Sequence, residues 1–271
     1  MAKAAASTSV SGVDTRVPHS ARVYDYWLGG KDNFAIDRAV GEAMIQAIPG
    51  MRYMAAENRK FVHRAVRDLV AKEGIRQFLD VGTGIPTPPN LHEIAQTAAP
   101  ETRVVYVDND PLVLAHARAL LTSTAEGRCR YLDADLRQPQ SILTDAVLAK
   151  TLDLTKPVGL TLIAVLMLLT DEDDPWATVA QLRDAMPSGS YLAITHPTAD
   201  FNPDEVQQAV AAATDAGMTL VPRNRGAVAS FFGDWELLEP GLVPVSAWRP
   251  DEPSAGSPQA AYYWAGVACK P

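Results

Sequence analysis

Cysteine is almost absent from this sequence, with only Cys129 and Cys269 among 271 residues. Two cysteines this far apart give neither the clustered spacing of a zinc site nor the several pairs of a disulfide-rich secreted fold. We therefore expect both to be reduced thiols in a reducing compartment. The fold must then depend on a hydrophobic core, for which the 47% of hydrophobic residues suffice.

Long apolar runs are also missing. No segment reaches the roughly 18 apolar residues that a membrane-spanning helix needs. Residues 1–15 lack the apolar stretch of a secretory signal peptide and are predicted to form a disordered tail. The sequence therefore predicts a cytoplasmic protein without a membrane partner.

Positive charge is in deficit, because 24 Lys and Arg stand against 32 Asp and Glu, which gives a net charge of −8. Proteins that bind nucleic acid usually present a basic face to the phosphates. The charge balance favours a small-molecule partner over nucleic acid and leaves the oligomeric state undecided.

The apolar patterns divide the chain into two regions. Residues 16–73 show helical periodicity without a strand candidate and are predicted to form a helical cap or lid. In residues 74–271, buried-strand patterns alternate with helical patterns, which predicts an α/β fold with a mostly parallel sheet covered on both faces. The strand candidates are 75–82, 102–110, 158–169 and 189–196, and the helix candidates are about 90–98, 111–121, 139–149 and 174–186.

The C-terminal part has a different pattern. Strand candidates at 235–248 and 260–270 are joined by a loop rich in Pro, Gly and Ser that leaves no room for a helix. These two segments predict an antiparallel hairpin at the edge of the sheet.

The first strand candidate runs into a turn that contains Gly82 and Gly84. Glycines let a ligand approach the backbone at the carboxyl end of a strand, where doubly wound sheets bind their ligands. Thr87 stands where a dinucleotide fingerprint has its third glycine, and Asp80 would repel a pyrophosphate but suit an ammonium or sulfonium group. For this motif alone, a tight turn without a ligand is the alternative.

Two further acids follow the next strand-like segments. Asp108 comes 24 residues after Gly84, where an acid can accept hydrogen bonds from ribose hydroxyls. Asp110 directly precedes a proline and is predicted to cap a helix. Asp135 lies in a third strand-like segment, 131–136, which follows the next predicted helix, and would be near an adenine amino group. Three acids without a phosphate-binding motif favour an adenosine ligand without phosphates, and the cationic sulfonium of S-adenosylmethionine suits such a site.

The chain resembles an actinobacterial family of S-adenosyl methyltransferases within class I of these enzymes. The matching segments span nearly the whole chain in order: 21–38, 56–67, 75–87, 90–96, 104–121, 189–196 and 231–250. The resemblance implies a Rossmann-like, mostly parallel sheet of seven strands in the order 3-2-1-4-5-7-6, with an antiparallel terminal strand. It also implies that Asp80, Gly82 and Gly84 line the methionine part of S-adenosylmethionine and that Asp108 binds its ribose.

The adenine end has implied ligands as well. By the same resemblance, Asn109 flanks the adenine, and Asp135 and the backbone of Leu136 meet its edge. S-adenosylmethionine would be the methyl donor, S-adenosylhomocysteine the product, and a small molecule the acceptor.

One position departs from the family's pattern. The family often has a histidine just after the fourth strand, where this chain has Met167. A methionine would give the acceptor an apolar wall instead of a base. The departure keeps open a protein that binds S-adenosylmethionine without transferring its methyl group. A nicotinamide-dependent oxidoreductase is a further alternative, disfavoured by Thr87 and by the terminal hairpin.

The stretch 21–34 places aromatic residues beside a Gly-Gly pair. It is predicted to be a lid whose Tyr24, Tyr26 and Lys31 face the cofactor, because methyl transfer benefits from alignment and from exclusion of water. Packing of these aromatic residues onto the core is the alternative.

The remaining candidates concern the acceptor. His196 ends the strand candidate 189–196 and is the predicted general base, with a structural histidine as the alternative. The acids of 170–176 indicate helix caps rather than a metal site, so no metal ligand is predicted. Arg22, Arg59 and Arg64 could bind an acidic acceptor or lie on exposed helix faces.

Overall fold

The computed structural model describes residues 14–120, 123–252 and 257–271, so that the predicted tail 1–15 lies almost entirely outside the described residues. The α-helices are α1 Ser20–Trp27, α2 Ala35–Ala47, α3 Met51–Ala71, α4 Leu91–Ala98, α5 Pro111–Leu120, α6 Pro139–Leu143, α7 Ala146–Thr151, α8 Pro175–Ala185, α9 Pro203–Asp215 and α10 Arg225–Ser230. The strands are β1 Gln77–Val81, β2 Arg103–Asp108, β3 Arg128–Asp133, β4 Gly159–Ile163, β5 Tyr191–Pro197, β6 Glu236–Leu237, β7 Val243–Pro244 and β8 Tyr263–Cys269. In these described ranges no helix is both long enough and apolar enough to cross a membrane.

The strands form one sheet in the order β3-β2-β1-β4-β5-β8-β6, in which β7 also pairs with β8. Strands β1 to β5 are parallel, and β8 runs antiparallel to β5. The predicted order and the antiparallel terminal strand are confirmed. The predicted sixth strand is divided into β6 and β7, two residues each, because the intervening segment contains Pro240 and Gly241, and Gly241 has a φ of +85°. Within the described ranges the sheet therefore has eight strands instead of seven.

Alternating residues of β1 and β2 supply two cores on opposite faces of the sheet. Phe78 and Val104 lie in a core with residues of α1 to α4 and α9. Leu79 and Val105 lie in a core with residues of α6, α7, α8 and α10. Because helices cover both faces, the carboxyl ends of the parallel strands are the edge at which a ligand can enter.

The predicted N-terminal cap shares its core with the sheet. Val23 of α1, Met44 of α2 and Phe61 of α3 are buried in the same cluster as residues of β1, β2 and β5. Helices α1 to α3 are thus packed onto the sheet domain along one of its faces.

Helix α9 is not predicted by the sequence patterns, although its start signals are present. Pro203 occupies the first turn, and the side chain of Asn202 accepts a hydrogen bond from the backbone of Glu205 at 3.3 Å. Its alanine-rich sequence gives a weak apolar periodicity, and the helix is stabilised by packing against α2.

Arg64 of α3 lies inside the protein and is not available to an acidic acceptor. Its Nε and Nη2 donate hydrogen bonds to the carbonyl oxygens of Trp248 and Val245 at 2.9 and 2.8 Å. The ring of Trp248 packs edge-on against Phe61, with 5.2 Å between ring centroids. Arg64 therefore connects α3 by hydrogen bonds to the segment around residues 245–248, which precedes β8.

Replacement of Arg64 by methionine should lower the free energy of unfolding by at least about 2 kcal/mol, because two buried carbonyl groups lose charged donors. Arg67→Met is the matched control, since Arg67 lies on the exposed side of α3 in an ion pair with Asp251 and should contribute at most about 1 kcal/mol. Urea unfolding of both variants measures the difference. Equal stabilities of the two variants would contradict the role assigned to Arg64.

Candidate functional site

A cavity of about 440 Å³ lies at the carboxyl ends of β1, β2 and β4 and at the segment that follows β3. Helix α1 closes one side of it, and α3 and the segment after α9 contribute further walls. This volume is within the range of small-molecule and cofactor sites. The cavity contains the predicted residues Asp80, Gly82, Gly84, Asp108, Asn109, Asp135, Leu136 and Tyr24.

The two glycines of the first turn have different reasons to be glycine. Gly82 has a φ of +77°, and a Cβ atom there would stand 2.3 Å from Cγ2 of Val165, so packing alone requires glycine. Gly84 has a φ of +69°, and a Cβ atom there would meet no atom of the described residues within 4 Å. A side chain at Gly84 would therefore extend into free space beside the turn. Only Gly84 fits the expectation that glycine leaves room for a ligand.

Asp80 is a half-buried carboxyl group at the end of β1. It accepts a hydrogen bond from the hydroxyl of Thr161 on β4. Burial raises the pKa of Asp80 to about 6, against the opposing effects of the Thr161 and Thr83 hydrogen bonds and of the Arg59 charge. A cationic group in the cavity would stabilise the ionised form.

Asp108 joins the glycine turn to the end of β2. Its carboxylate accepts hydrogen bonds from the backbone N–H of Gly84 at 2.8 Å and of Asp110 at 3.0 Å. Only 7% of the residue is exposed, and burial raises the pKa of its carboxyl group. Because each carboxylate oxygen can accept more than one hydrogen bond, Asp108 retains capacity for hydroxyl groups in the cavity.

The third acid has a partner that the sequence interpretation missed. Asp135 forms an ion pair with Arg137, with Nη2 2.6 Å from Oδ2, and accepts a hydrogen bond from Nδ2 of Asn109 at 3.2 Å. The hydrogen bond from Arg137 is the main reason that the pKa of Asp135 is lowered. Leu136 is buried beside it. The spacing of Asp135 and Arg137 was the only sequence signal for this pair.

The lid residues separate into two groups. Tyr24 lines the cavity, and its hydroxyl donates to the carbonyl of Ala55 at 3.1 Å. Tyr26 lies about 200° further around α1, where its hydroxyl contacts Glu42 and its ring lies under Arg52, 4.7 Å from the guanidinium carbon. Lys31 is exposed beyond the end of α1, and among the described residues neither Tyr26 nor Lys31 lines the cavity.

The predictions for Tyr26 and Lys31 are therefore corrected by the helix geometry. Residues of α1 that share the face of Tyr24 form the wall instead. They are Ala21 and Asp25, with Ser20 and Trp27 at the two ends of the helix and Leu28 directly after it.

A buried ion cluster holds α1 in this position. Arg22 lies between two carboxylates, 3.6 Å from Oδ2 of Asp37 and 3.5 Å from Oδ2 of Asp110. Asp37 also accepts a hydrogen bond from the backbone N–H of His19 at 3.0 Å. Asp110 caps α5 as predicted, through a hydrogen bond of 2.8 Å from the backbone N–H of Leu112. Arg22 is thus held by Asp37 and Asp110 and is not available to bind an acidic acceptor.

His196 is fully buried and lies outside the cavity wall. Its Nδ1 lies 2.9 Å from the carbonyl oxygen of Pro197, and its Nε2 lies 3.2 Å from Nη1 of Arg223. A carbonyl oxygen only accepts and a guanidinium only donates, so the imidazole is neutral with its proton on Nδ1. Burial lowers the pKa of His196 to about 3. Because both nitrogens are engaged, the prediction of His196 as the general base is not supported by this geometry.

Met167 borders the cavity just after β4, with 8% of the residue exposed. It also borders a second, apolar cavity of about 30 Å³ between α2, α3 and α9. The nearby acids of 170–176 act as caps or in an ion pair, because Asp173 and Asp174 accept backbone N–H groups and Asp171 pairs with Arg223 at 2.8 Å. The described residues contain no cluster of His, Cys, Asp and Glu that could hold a metal ion.

These side chains fit a cationic adenosyl ligand. Acids follow three neighbouring strands, and free space adjoins Gly84. In addition, the buried Oδ1 of Asn58 has no hydrogen-bond partner among the described residues. The residues that could hold the adenosine are Asp108, Asn109, Asp135 and Leu136, and the residue at the end of β1 that could hold a cationic group is Asp80.

Comparison with solved structures gives close relatives. A DUF574 family protein from Streptomyces avermitilis shares 47% sequence identity, with a TM-score of 0.93, over 95% of this chain and 99% of the other. A protein from Thermobifida fusca, provisionally named as a methyltransferase, shares 39% identity, with a TM-score of 0.90, over 98% and 99% of the two chains. A SAM-dependent methyltransferase from Anabaena variabilis, at 15% identity and a TM-score of 0.50 over 75% and 80% of the two chains, shares the fold alone.

No protein of curated function matches the chain. The model of the S-adenosyl methyltransferase family matches residues 6–271. This match confirms S-adenosylmethionine as the cofactor and rules out the oxidoreductase alternative. The chain therefore belongs to the S-adenosyl methyltransferase family and is a SAM-dependent methyltransferase of the class I fold.

Proposed function

We propose that this methyltransferase acts on a small, uncharged acceptor with an apolar body. The observation that carries the proposal is that charged side chains, among them Asp80, Asp108 and Asp135, line the cavity at β1 to β3, whereas apolar side chains line an apolar part beyond β4. The apolar part is formed by residues from α1, the segment after β4 and the segment after α9. These residues are Trp27, Leu28, Met167, Leu168 and Met218.

The order of the strands supports a direction for the cofactor. Neighbouring strands are about 4.8 Å apart, so the ends of β3 and β1 are separated by roughly 10 Å. The adenine then lies at Asp135, the ribose at Asp108 and the amino-acid part at Asp80. This direction brings the reacting end of the cofactor toward β4 and the apolar wall around Met167.

The protein's contribution to catalysis is alignment and exclusion of water. When bound, S-adenosylmethionine would supply an electrophilic methyl group and leave as S-adenosylhomocysteine, and the proton that the acceptor loses would pass to solvent water. Tyr24 and Trp27 of α1 cover the cavity, and Met167 closes it beyond β4. Alignment of two reactants in a dry site can supply about 7–11 kcal/mol of the barrier reduction. With His196 engaged elsewhere, we propose no protein base.

Methyl transfer is tested with methyl-labelled S-adenosylmethionine and an actinobacterial cell extract divided into apolar neutral, anionic and macromolecular fractions. We expect label to move into the apolar neutral fraction. Asp108→Ala should reduce this transfer at subsaturating cofactor, because a lost charge-assisted hydrogen bond contributes about 1.5–3 kcal/mol. Asp133→Ala, at an exposed acid paired in register with Asp108, is the matched control.

Three outcomes would contradict parts of this proposal. Transfer only into the anionic or macromolecular fraction would disprove the acceptor class. Binding of the cofactor without transfer into any fraction would show a binding protein without this activity. Unchanged transfer in Asp108→Ala would remove the ribose assignment.

Gly84→Val should abolish binding of S-adenosylhomocysteine, because the side chain would fill the space beside the turn. Gly241→Val is the matched control, since Gly241 also has a positive φ and open space around its missing Cβ but lies outside the cavity. Both substitutions carry backbone strain of about 1–2 kcal/mol. Calorimetric titration measures ligand binding, and thermal unfolding measures the loss of stability from backbone strain. Equal affinities of the two variants for S-adenosylhomocysteine would show that the ligand does not occupy the space beside Gly84.

The affinity for S-adenosylhomocysteine should rise as the pH increases through about 6, because Asp80 then becomes ionised and attracts the ligand's ammonium group. The sign follows from the raised pKa of Asp80, since the free folded protein favours the neutral acid below this pH. The ligand's own charges stay constant over roughly pH 5 to 7. We expect a change of roughly tenfold in wild type and a flat profile in Asp80→Asn. Calorimetry at several pH values tests this, and a parallel rise in Asp80→Asn would assign the effect to another group.

A further inference from the structure

Helix α3 presents two polar side chains to the cavity, Asn58 and Arg59. Asn58 is only 1% exposed, and Arg59 is half-buried. The sequence interpretation made no prediction for Asn58 and considered Arg59 for an acidic acceptor. In the structure, Asn58 contacts Tyr24 of α1, and Arg59 contacts the segment after the glycine turn.

The orientation of the Asn58 amide follows from its neighbours. The hydroxyl of Tyr24 has one proton, which it donates to the carbonyl oxygen of Ala55, a group that can only accept. The Tyr24 oxygen can therefore only accept from Asn58, and the atom 2.9 Å away must be Nδ2. This fixes Oδ1 as the other atom of the amide.

Oδ1 of Asn58 is buried and has no hydrogen-bond partner among the residues that the structure describes. Buried polar atoms of native proteins are nearly always paired, so an unpaired acceptor in a cavity wall indicates a ligand that donates a hydrogen bond. The ligand group must be an N–H or O–H.

Arg59 is held beside the glycine turn. Its Nη2 donates to the carbonyl oxygens of Thr87 and Pro89 at 2.7 and 2.9 Å. These two hydrogen bonds, the ones found for Arg59 in the described part of the chain, leave Nε and Nη1 free to meet a ligand. The charge of Arg59 also acts on Asp80 at the end of β1.

We propose that Asn58 and Arg59 bind the amino-acid end of S-adenosylmethionine, an inference that rests on the proposed direction of the cofactor. Oδ1 of Asn58 accepts a hydrogen bond from the ligand's ammonium group, which also faces Asp80. The guanidinium of Arg59 pairs with the ligand's carboxylate. A zwitterionic group needs an acceptor and a cation side by side, and this pair supplies both.

The pair also gives the site a means to distinguish ligands. An adenosyl thioether without the amino-acid part would leave the Arg59 cation and the Asn58 acceptor unpaired in the cavity. Sites built for polar groups discriminate strongly against ligands that lack them. The structure therefore predicts selectivity for the complete cofactor and its product over truncated adenosyl thioethers.

The test compares S-adenosylhomocysteine with 5′-methylthioadenosine, which keeps the adenosine and the thioether but lacks the amino-acid part. By calorimetry of the full-length protein, wild type should prefer S-adenosylhomocysteine by at least roughly 100-fold. Arg59→Gln and Asn58→Leu should each weaken S-adenosylhomocysteine binding by roughly tenfold and leave 5′-methylthioadenosine unchanged. Lys60→Gln, an exposed neighbour on α3, is the matched control.

Asn58→Leu also removes the hydrogen bond to Tyr24, so Tyr24→Phe is measured beside it. If Asn58→Leu and Tyr24→Phe both weaken the binding of S-adenosylhomocysteine and of 5′-methylthioadenosine to the same extent, the effect of Asn58→Leu arises from packing and the proposal for Asn58 is wrong. The wild-type comparison of the two ligands needs no substitution and therefore tests the proposal even if a variant does not fold.

The remaining outcomes overturn the proposal in distinguishable ways. Equal affinities of wild type for the two ligands, or wild-type affinity of both variants for S-adenosylhomocysteine, would refute the amino-acid subsite and leave the methyltransferase function intact. Wild-type binding by Arg59→Gln together with a loss of label transfer would assign Arg59 to the acceptor instead. Failure of wild type to bind either ligand would remove the proposed function itself, and this inference with it.

Discussion

The cavity depends on the position of α1, and this position depends on the buried Arg22. Its guanidinium lies between Asp37, which belongs to α2, and Asp110, which follows β2. The three side chains form one cluster that connects α1, α2 and the segment after β2. Loss of one member would leave a buried charge without compensation, which is far more costly than the net contribution of the intact cluster. The cluster therefore specifies where α1 lies, and with it the wall formed by Tyr24.

The glycine turn combines two constraints that a sequence motif does not separate. Gly82 is required because Val165 from the segment after β4 occupies the position of its missing side chain. Gly84 adjoins free space, and its N–H is held by Asp108. The backbone of the turn is fixed by packing against Val165 and by the hydrogen bond to Asp108. The free space beside Gly84 adjoins the cavity that Asp80 and Asp108 also line.

The sequence predicts the site well where position along a strand determines location. Asp80 and Asp108 reach the cavity because parallel strands end at the same edge. Prediction from the sequence fails where the location depends on the direction in which a side chain points. His196 also ends a strand, yet its ring lies against Phe231 and Arg223 in the interior. The same holds on α1, where two residues of separation place Tyr26 on the opposite side from Tyr24.

The residues that sequence reasoning missed depend on contacts between distant segments. Asn58 and Arg59 belong to an ordinary amphipathic helix pattern, and only the packing of α3 beside the glycine turn brings them to the cavity. Arg59 reaches the carbonyl oxygens of Thr87 and Pro89, about 30 residues away along the chain, and Asn58 reaches the hydroxyl of Tyr24. A pattern within α3 carries no information about such neighbours. The acids end the strands and α3 brings Arg59 near them, so the cavity carries both signs of charge at β1 to β3, whereas Met167, Leu168 and Met218 line it beyond β4. Such a division holds a zwitterionic, cationic cofactor firmly at one end and leaves the methyl group facing an apolar space, where an uncharged acceptor meets it without competing water.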